Sequence, residues 1–396
     1  MQQKTRSLIF TSLGHYLNDS FLVLFPILSI YYMGLGISAI AIGIFGGVYN
    51  VMSGALGAPI GQYADKRGDY AYPMFLGFLL IGASIFSFSI AFLRIGIVLR
   101  YVAVAIASML LGTGLAFYHP LGGAILQNTY TKEDAPKALG INGSFGSLGR
   151  AIAPYALVVI IGIIGAFTGM IMLTVIDLMV AIIVFAGLRG VKQFDARKGT
   201  QQPSNSIKPY IYLILPLTII VFIRSIFISG VQLFSPSFID IIYKSTSLTG
   251  LFLTASYSTA IIGQPLFGNL TSRYGGRSII IITTAFSTLF FILFLLVRGV
   301  YFQLLFFSLF AFFAFSGFPN LLGYVSQIVD RSVYARANGI VWSFGNMMGG
   351  ALGMVIGGPL IEYLGFTSTM WIYAIIALIS VAMLVLLPTK KLHSVT

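Results

Sequence analysis

GQYADKRGD, from Gly61 to Asp69, is answered later in the chain by GNLTSRYGGR, from Gly268 to Arg277. Each polar stretch closes a hydrophobic run long enough to cross a bilayer. Working outward from either copy gives the same arrangement: six apolar runs, one polar linker and six more apolar runs. The chain therefore reads as two membrane-embedded halves built on one plan.

Composition supports that reading. Of 396 residues, 58% are apolar and only 8% charged, with a mean hydropathy of +0.95, too little polar surface to cover a water-soluble fold. Apolar runs fall near residues 8–33, 38–62, 72–93, 98–127, 138–164 and 168–189, and again near 209–236, 247–270, 277–297, 302–327, 337–362 and 366–388. They are continuous rather than alternating, so they predict twelve transmembrane helices of an all-α membrane protein. The expected organisation is a six-helix bundle over 1–189, a linker over 190–208 where Gly, Pro, Ser and Gln collect, and a second six-helix bundle over 209–396. PKALGINGSFGSLG from Pro136 aligns without a gap on ARANGIVWSFGNMMG from Ala335, and Pro120 stands at the same offset from Pro319.

The net charge of +13 is spread over the polar loops, without a basic face interleaved with aromatics, so no nucleic-acid partner is expected. Placing the N-terminus inside puts 17 of the 23 Lys and Arg residues in the cytoplasm, which predicts a cell-membrane protein with both termini cytoplasmic. The first run is too long for a cleavable signal, carries Asp19 and lacks a small-residue cleavage site. Zero cysteines exclude thiolate metal sites and Cys nucleophiles. No phosphate-cradling loop, metal cluster or hydrolytic triad is legible, so neither an enzyme nor a cofactor is expected.

An ionisable group inside a span costs roughly 2.5–3.5 kcal/mol on insertion scales and is a functional candidate by default. Six stand out: His15, Asp19, His119, Arg150, Asp177 and Arg224. His15, Asn18, Asp19 and Leu22 follow i, i+3, i+4, i+7 spacing and share one helical face. Counting ~1.5 Å per residue, His15 and His119 lie roughly 10–14 Å deep, and Asp19, Arg150 and Arg224 about 17–22 Å deep. A desolvated Asp beside His residues is suited to taking up and releasing a proton, which makes Asp19, His15 and His119 the expected proton-coupling group. Asn18, His119, Arg150, Arg224 and Asn320 are the expected substrate contacts. Asp177 is expected to pair with Arg150 across the hairpin between spans 5 and 6. Pro120 removes an amide donor beside His119, and a kink is expected there.

The pattern Gly61-x-x-x-Asp65-Lys66-x-Gly68 resembles the signature between spans 2 and 3 of the major facilitator superfamily, and Gly268, Arg273 and Gly275 resemble its degenerate second copy. Within that superfamily, GHYLND (Gly14–Asp19), GTGLAFYHP (Gly112–Pro120) and GSFGSLG (Gly143–Gly149) look like segments of the fosmidomycin resistance family of drug exporters. The chain departs from that family after His119-Pro120, where Leu121-Gly122-Gly123-Ala124 replaces an acidic residue and an arginine. It departs again at Asp69-Tyr70-Ala71, where a basic pair is usual. Drug specificity is therefore not carried over.

The resemblance implies a carrier that alternates between inward-open and outward-open states about a cavity lined by spans 1, 4, 7 and 10. Gly61, Asp65, Lys66, Gly68, Gly268, Arg273 and Gly275 are the expected gating residues. The expected activity is export of a small amphipathic or anionic compound in exchange for protons, by a monomer in the lipid bilayer. The rivals are a proton symporter importing a sugar or organic acid, and a non-transporting receptor or scaffold.

Overall fold

The computed structural model describes residues 2–131, 134–191, 206–330 and 333–388, with backbone alone at 136, 318–320, 322 and 335. Among these residues there are helices and no strands. In the first half they are α1 (Gln3–Gly34), α2 (Ala39–Arg67), α3 (Ala71–Ile90), α4 (Ile97–Thr129), α5 (Ala135–Ile164) and α6 (Ala166–Leu188). In the second they are α7 (Ile211–Tyr243), α8 (Thr246–Tyr274), α9 (Gly276–Leu296), α10 (Val300–Phe315 continued by Gly317–Ile328), α11 (334–364) and α12 (366–386).

Among the described residues, nine helical stretches are long and apolar enough to cross a membrane. The last of these, Arg336–Leu386, is 51 residues long, too long for one crossing, and Gly365 at φ 80° divides it into α11 and α12. α8, richer in Ser and Thr, and α10, broken at Ser316, complete the twelve. α1 breaks at Val23 (φ −93°, ψ 2°), where Pro26 offers no N–H to the Leu22 carbonyl. Pro120, by contrast, sits inside α4, which stays helical from Ile97 to Thr129.

Cα proximity divides the chain into two compact units, Met1–Gly199 with Pro236–Thr254, and Thr200–Ser235 with Ala255–Thr396. The expected linker lies largely outside the described residues, at 192–205. In the first unit the C-terminal end of α7 and the start of α8 join α1 and α5: Ser29 Oγ lies 3.2 Å from Ser237 Oγ, and Tyr155 N–H donates to Thr254 Oγ1 at 3.2 Å.

Helices of the first unit approach closely through glycine, as expected in lipid, where no hydrophobic force holds helices together. A Cβ on Gly112 would stand 2.4 Å from the Tyr49 carbonyl oxygen, and one on Gly77 would stand 2.5 Å from Phe117 Cβ. The second unit does the same, a Cβ on Gly353 standing 2.1 Å from the Ile226 carbonyl oxygen, and adds aromatics, with Phe286, Phe290 and Phe313 stacked at centroid distances of 5.2–6.0 Å between α9 and α10.

Candidate functional site

Four of the six interior charges meet in the first unit. Asp19 on α1 is fully buried. Its Oδ2 accepts from Arg150 Nη1 of α5 at 2.5 Å, and its Oδ1 accepts from Asn18 Nδ2 at 3.0 Å. His15 Nε2 stands 3.4 Å from Oδ2, and His119 Nε2 of α4 stands 3.6 Å from Oδ1. Arg150 Nη2 also donates to Ser147 Oγ at 3.1 Å. The burial is graded: the His119 side chain is 56% exposed, against 12% for His15 and none for Asp19. His119 is thus the open member of the cluster and Asp19 its closed end.

A second layer holds the imidazoles. His15 Nδ1 lies 2.8 Å from Asn142 Oδ1, Asn142 Nδ2 donates to the Tyr118 hydroxyl at 2.9 Å, and that hydroxyl donates to the Thr11 carbonyl at 2.6 Å. The His15 ring rests on Tyr118 at 4.7 Å and meets His119 edge-on at 5.3 Å.

Two glycines let α1 and α5 come this close. A Cβ on Gly146 would stand 2.4 Å from His15 Nε2 and 2.8 Å from Asp19 Oδ2, and one on Gly149 would stand 2.3 Å from the Tyr16 carbonyl. Gly143, in the same GSFGSLG run, has nothing within 4 Å. Tyr118, Asn142, Gly146 and Gly149 are contributors that reading by charge does not single out. The three-residue spacing of the glycines was the available signal.

The expected Asp177–Arg150 pair is not formed, because the two side chains leave their helices in different directions. Arg150 faces α1, whereas Asp177 Oδ2 lies against Gly82 of α3, where a Cβ would stand 2.8 Å from it. Asp177 is fully buried, and among the described residues neither carboxylate oxygen has a hydrogen-bond partner. Asn18, expected to touch substrate, is also fully buried, and its amide is used to hold Asp19.

In the second unit Arg224 of α7 donates through Nη2 to the Ala314 carbonyl at 3.1 Å, and its buried Nε has no partner among the described residues. Among the described residues no carboxylate lies within 4.0 Å of it. Close by in sequence, Ser225 Oγ donates to Asn346 Oδ1 at 3.0 Å, on a π-helical stretch of α11, Val341–Met348. The side chain of Asn320 lies outside the described residues.

The two loop signatures are local turns with glycine where it is needed. Gly68, at φ 67°, ends α2 and returns its N–H to the Ala64 carbonyl at 2.9 Å, with Lys66 and Arg67 in the last turn, where the helix end favours cations. Asp65 accepts from the Tyr70 hydroxyl at 2.5 Å. Burial, and then that carboxylate, push the Tyr70 hydroxyl up to about 12. Gly61 packs on Pro120, where a Cβ would make ordinary contact at 3.7 Å.

Gly275, at φ 85°, precedes α9, and the neighbouring Gly276 N–H donates to Gln327 Oε1 at 2.8 Å. The Gly268 carbonyl accepts from Ser272 Oγ at 3.1 Å, and Arg273 is exposed.

Twelve apolar helices in two repeated halves, with ionisable side chains inside them, define a membrane carrier. The profile of the Major Facilitator Superfamily matches residues 8–243 and 217–395, and the chain belongs to that superfamily. It is a transporter, not an enzyme. A comparison with curated protein sequences returned no match. Among solved structures, the fold is similar to a bacterial homolog of the human lysosomal transporter Spinster, crystallised inward-facing and occupied. That match has a TM-score of 0.74 and 15% identity over 97% of this chain and 96% of the other. It is similar to the same degree to a mutant of the nucleoside transporter NupG, with a TM-score of 0.74 and 17% identity over 98% of this chain and all of that one.

Proposed function

We propose that this transporter couples movement of a small amphipathic or anionic compound to protons, in the cell membrane and with both termini cytoplasmic. The favoured direction is export by exchange, as the likeness of Gly14–Asp19, Gly112–Pro120 and Gly143–Gly149 to fosmidomycin exporters implies. The observation that carries the proposal is the graded cluster in the first unit, a sealed carboxylate with an exposed imidazole at its mouth. Asp19 and Arg150 cancel, so each proton held by His15 or His119 leaves the cluster one unit positive. Such a site changes charge without unfolding.

Arg224 supplies the complementary half of the reading. A guanidinium keeps its charge, and one that holds a backbone carbonyl through Nη2 is suited to meeting a carboxylate or phosphonate on the cargo. His119 and Arg150 are the proposed cargo contacts in the first unit. Gly61, Asp65, Lys66, Gly68, Gly268, Arg273 and Gly275 are the proposed hinges of the loops that move.

One observation favours a second reading, proton symport. An anion is attracted by the same charge that a proton adds to the cluster, so proton and anion favour each other. A cargo that presents a cation or donor to Asp19 competes with the proton and gives exchange.

The two readings are separated by measuring binding to purified protein by thermal shift at pH 5.5 and 8, with methylphosphonate, a dicarboxylate and tetraphenylphosphonium as probes. Stabilisation that grows as pH rises supports exchange, and stabilisation that grows as pH falls supports symport. Stabilisation by a probe that is the same at both pH values, together with proteoliposome flux that ignores an imposed proton gradient, sinks proton coupling.

A further inference from the structure

We infer that Asn142 is a positioning residue: through Tyr118 and the Thr11 carbonyl it fixes the tautomer of His15, so that Nε2 is the atom that receives the proton opposite Asp19. This rests on the proton-coupled reading above for its function, but not for its geometry.

The chain of donors has one consistent direction. The Thr11 carbonyl can only accept, so the Tyr118 proton is committed to it at 2.6 Å. With that proton used, the Tyr118 oxygen acts as acceptor toward Asn142 and takes the amide Nδ2–H at 2.9 Å; Asn142 Oδ1, 3.2 Å from the same hydroxyl, is not its target. The amide is thereby oriented with Oδ1 toward His15 Nδ1 at 2.8 Å. An acceptor at that distance requires a hydrogen on Nδ1. In the neutral ring Nε2 is then a bare lone pair, and it points at Asp19 Oδ2 from 3.4 Å.

Two acceptors face each other across that gap, and a proton on Nε2 turns the contact into a charge-assisted hydrogen bond. The wire begins and ends on α1, since Thr11 lies one turn before His15, and it crosses α4 and α5 on the way. The titratable and charged groups facing His15 are Asp19 on its own helix, Tyr118 and His119 on α4, and Arg150 of α5 beyond Asp19. Gly146 leaves the space in which Nε2 and the carboxylate meet.

The direct test is nitrogen-15 NMR of full-length protein labelled at histidine, at a pH where His15 is neutral. His15 is assigned by comparison with His119→Asn and His393→Asn variants. The expected result is a protonated Nδ1 and a bare Nε2 in the wild type, with Asn142→Asp keeping that form through its acceptor oxygen. Asn142→Ala and Tyr118→Phe lose it, the first by removing the acceptor and the second by freeing the amide to turn. In proteoliposomes, Asn142→Ala displaces the pH profile of flux by about one unit, and Asn142→Asp retains a sigmoid pH dependence.

A wild-type His15 protonated on Nε2 overturns the inference whatever the variants do, as does a tautomer unchanged in Asn142→Ala. Protonated Nδ1 together with flux insensitive to pH upholds the positioning by Asn142 and overturns proton coupling, so the two failures are distinct.

Discussion

α5 and α11 hold the same place in their halves and share a sequence frame, yet the first lines its seam with charge and the second does not. Gly146 corresponds to Gly345 in the repeat, and both press on the first helix of their half. The first faces His15 and Asp19, and the second faces Val221 and the Thr218 carbonyl. Where the first half has Asn142 and Arg150, the second has Val341 and Gly349. The close approach is kept, but the polar contact beside it is uncharged: Ser225 Oγ donates to Asn346 Oδ1. The second half's interior charge sits instead on α7 as Arg224. From residue 255 onward the sequence offers it only Asp330, which accepts from the Tyr210 hydroxyl, and Glu362, which is exposed. One half carries a charge cluster that is complete without cargo, and the other carries a cation with no carboxylate within 4.0 Å among the described residues.

The largest expected break in this comparison comes from stripping one charge from the complete cluster. Arg150→Leu leaves Asp19 buried and uncompensated and lowers stability by about 3–5 kcal/mol. Asp19→Asn/Arg150→Leu together recover most of the stability without recovering proton-driven flux. Thermal melts and proteoliposome uptake on the same preparations check both statements. A double variant as unstable as Arg150→Leu alone would show that the pair is not the stabilising unit.

Arg224→Leu is expected to do the reverse. It removes an uncompensated charge, so the melting temperature holds or rises, while binding of an anionic probe weakens by roughly 10- to 100-fold, the loss of a charge-assisted contact. A melting temperature that falls as far as in Arg150→Leu would mean that Arg224 has a structural partner and the contrast between the halves is false.

The glycines sharpen the comparison at smaller scale. Gly146→Ala drives a methyl to 2.4 Å from His15 Nε2, whereas Gly345→Ala meets Val221 Cγ1 at 3.0 Å, a side chain with room to adjust. The first is expected to cost about 1–3 kcal/mol and most of the flux, the second clearly less.

The smallest effect is expected at Tyr70. Its hydroxyl titrates at about 12 in the fold against 10.0 in the open chain, so its contribution is whole below pH 10 and is lost as pH rises toward 12. Tyr70→Phe should flatten the alkaline fall in melting temperature, and an unchanged alkaline limb would count against the bond to Asp65.

How much of this was legible in the sequence differs by level. Apolar length and the repeated loops gave the twelve helices, because crossing lipid leaves the backbone little choice. Helical spacing put His15 and Asp19 on one face correctly. The partner of Arg150 was not legible, because Asp19 and Asp177 are both reachable by length. The choice depends on which side of α5 meets α1, and that is set by Gly146 and Gly149 allowing contact there. Asn142 is legible only as one of several polar groups inside spans, and the roles of Tyr118 and Asn142 were hidden for a related reason. Their value lies in the direction of a hydrogen-bond chain, and direction is a property of three helices together. The break of α1 at Val23 follows from Pro26, while α4 remains helical through Pro120, so proline alone does not say whether a helix will part.

Arg6 near the start of α1 donates through Nε to the Gly187 carbonyl at 2.6 Å and through Nη2 to the Ala186 and Arg189 carbonyls at 3.1 and 2.9 Å. The first helix therefore clasps the last turn of the sixth, and the three oxygens it holds come from none of the four helices between them. During synthesis this clasp stays open until residue 189 has been added, so the leading bundle is fastened late, just before its twin begins to emerge.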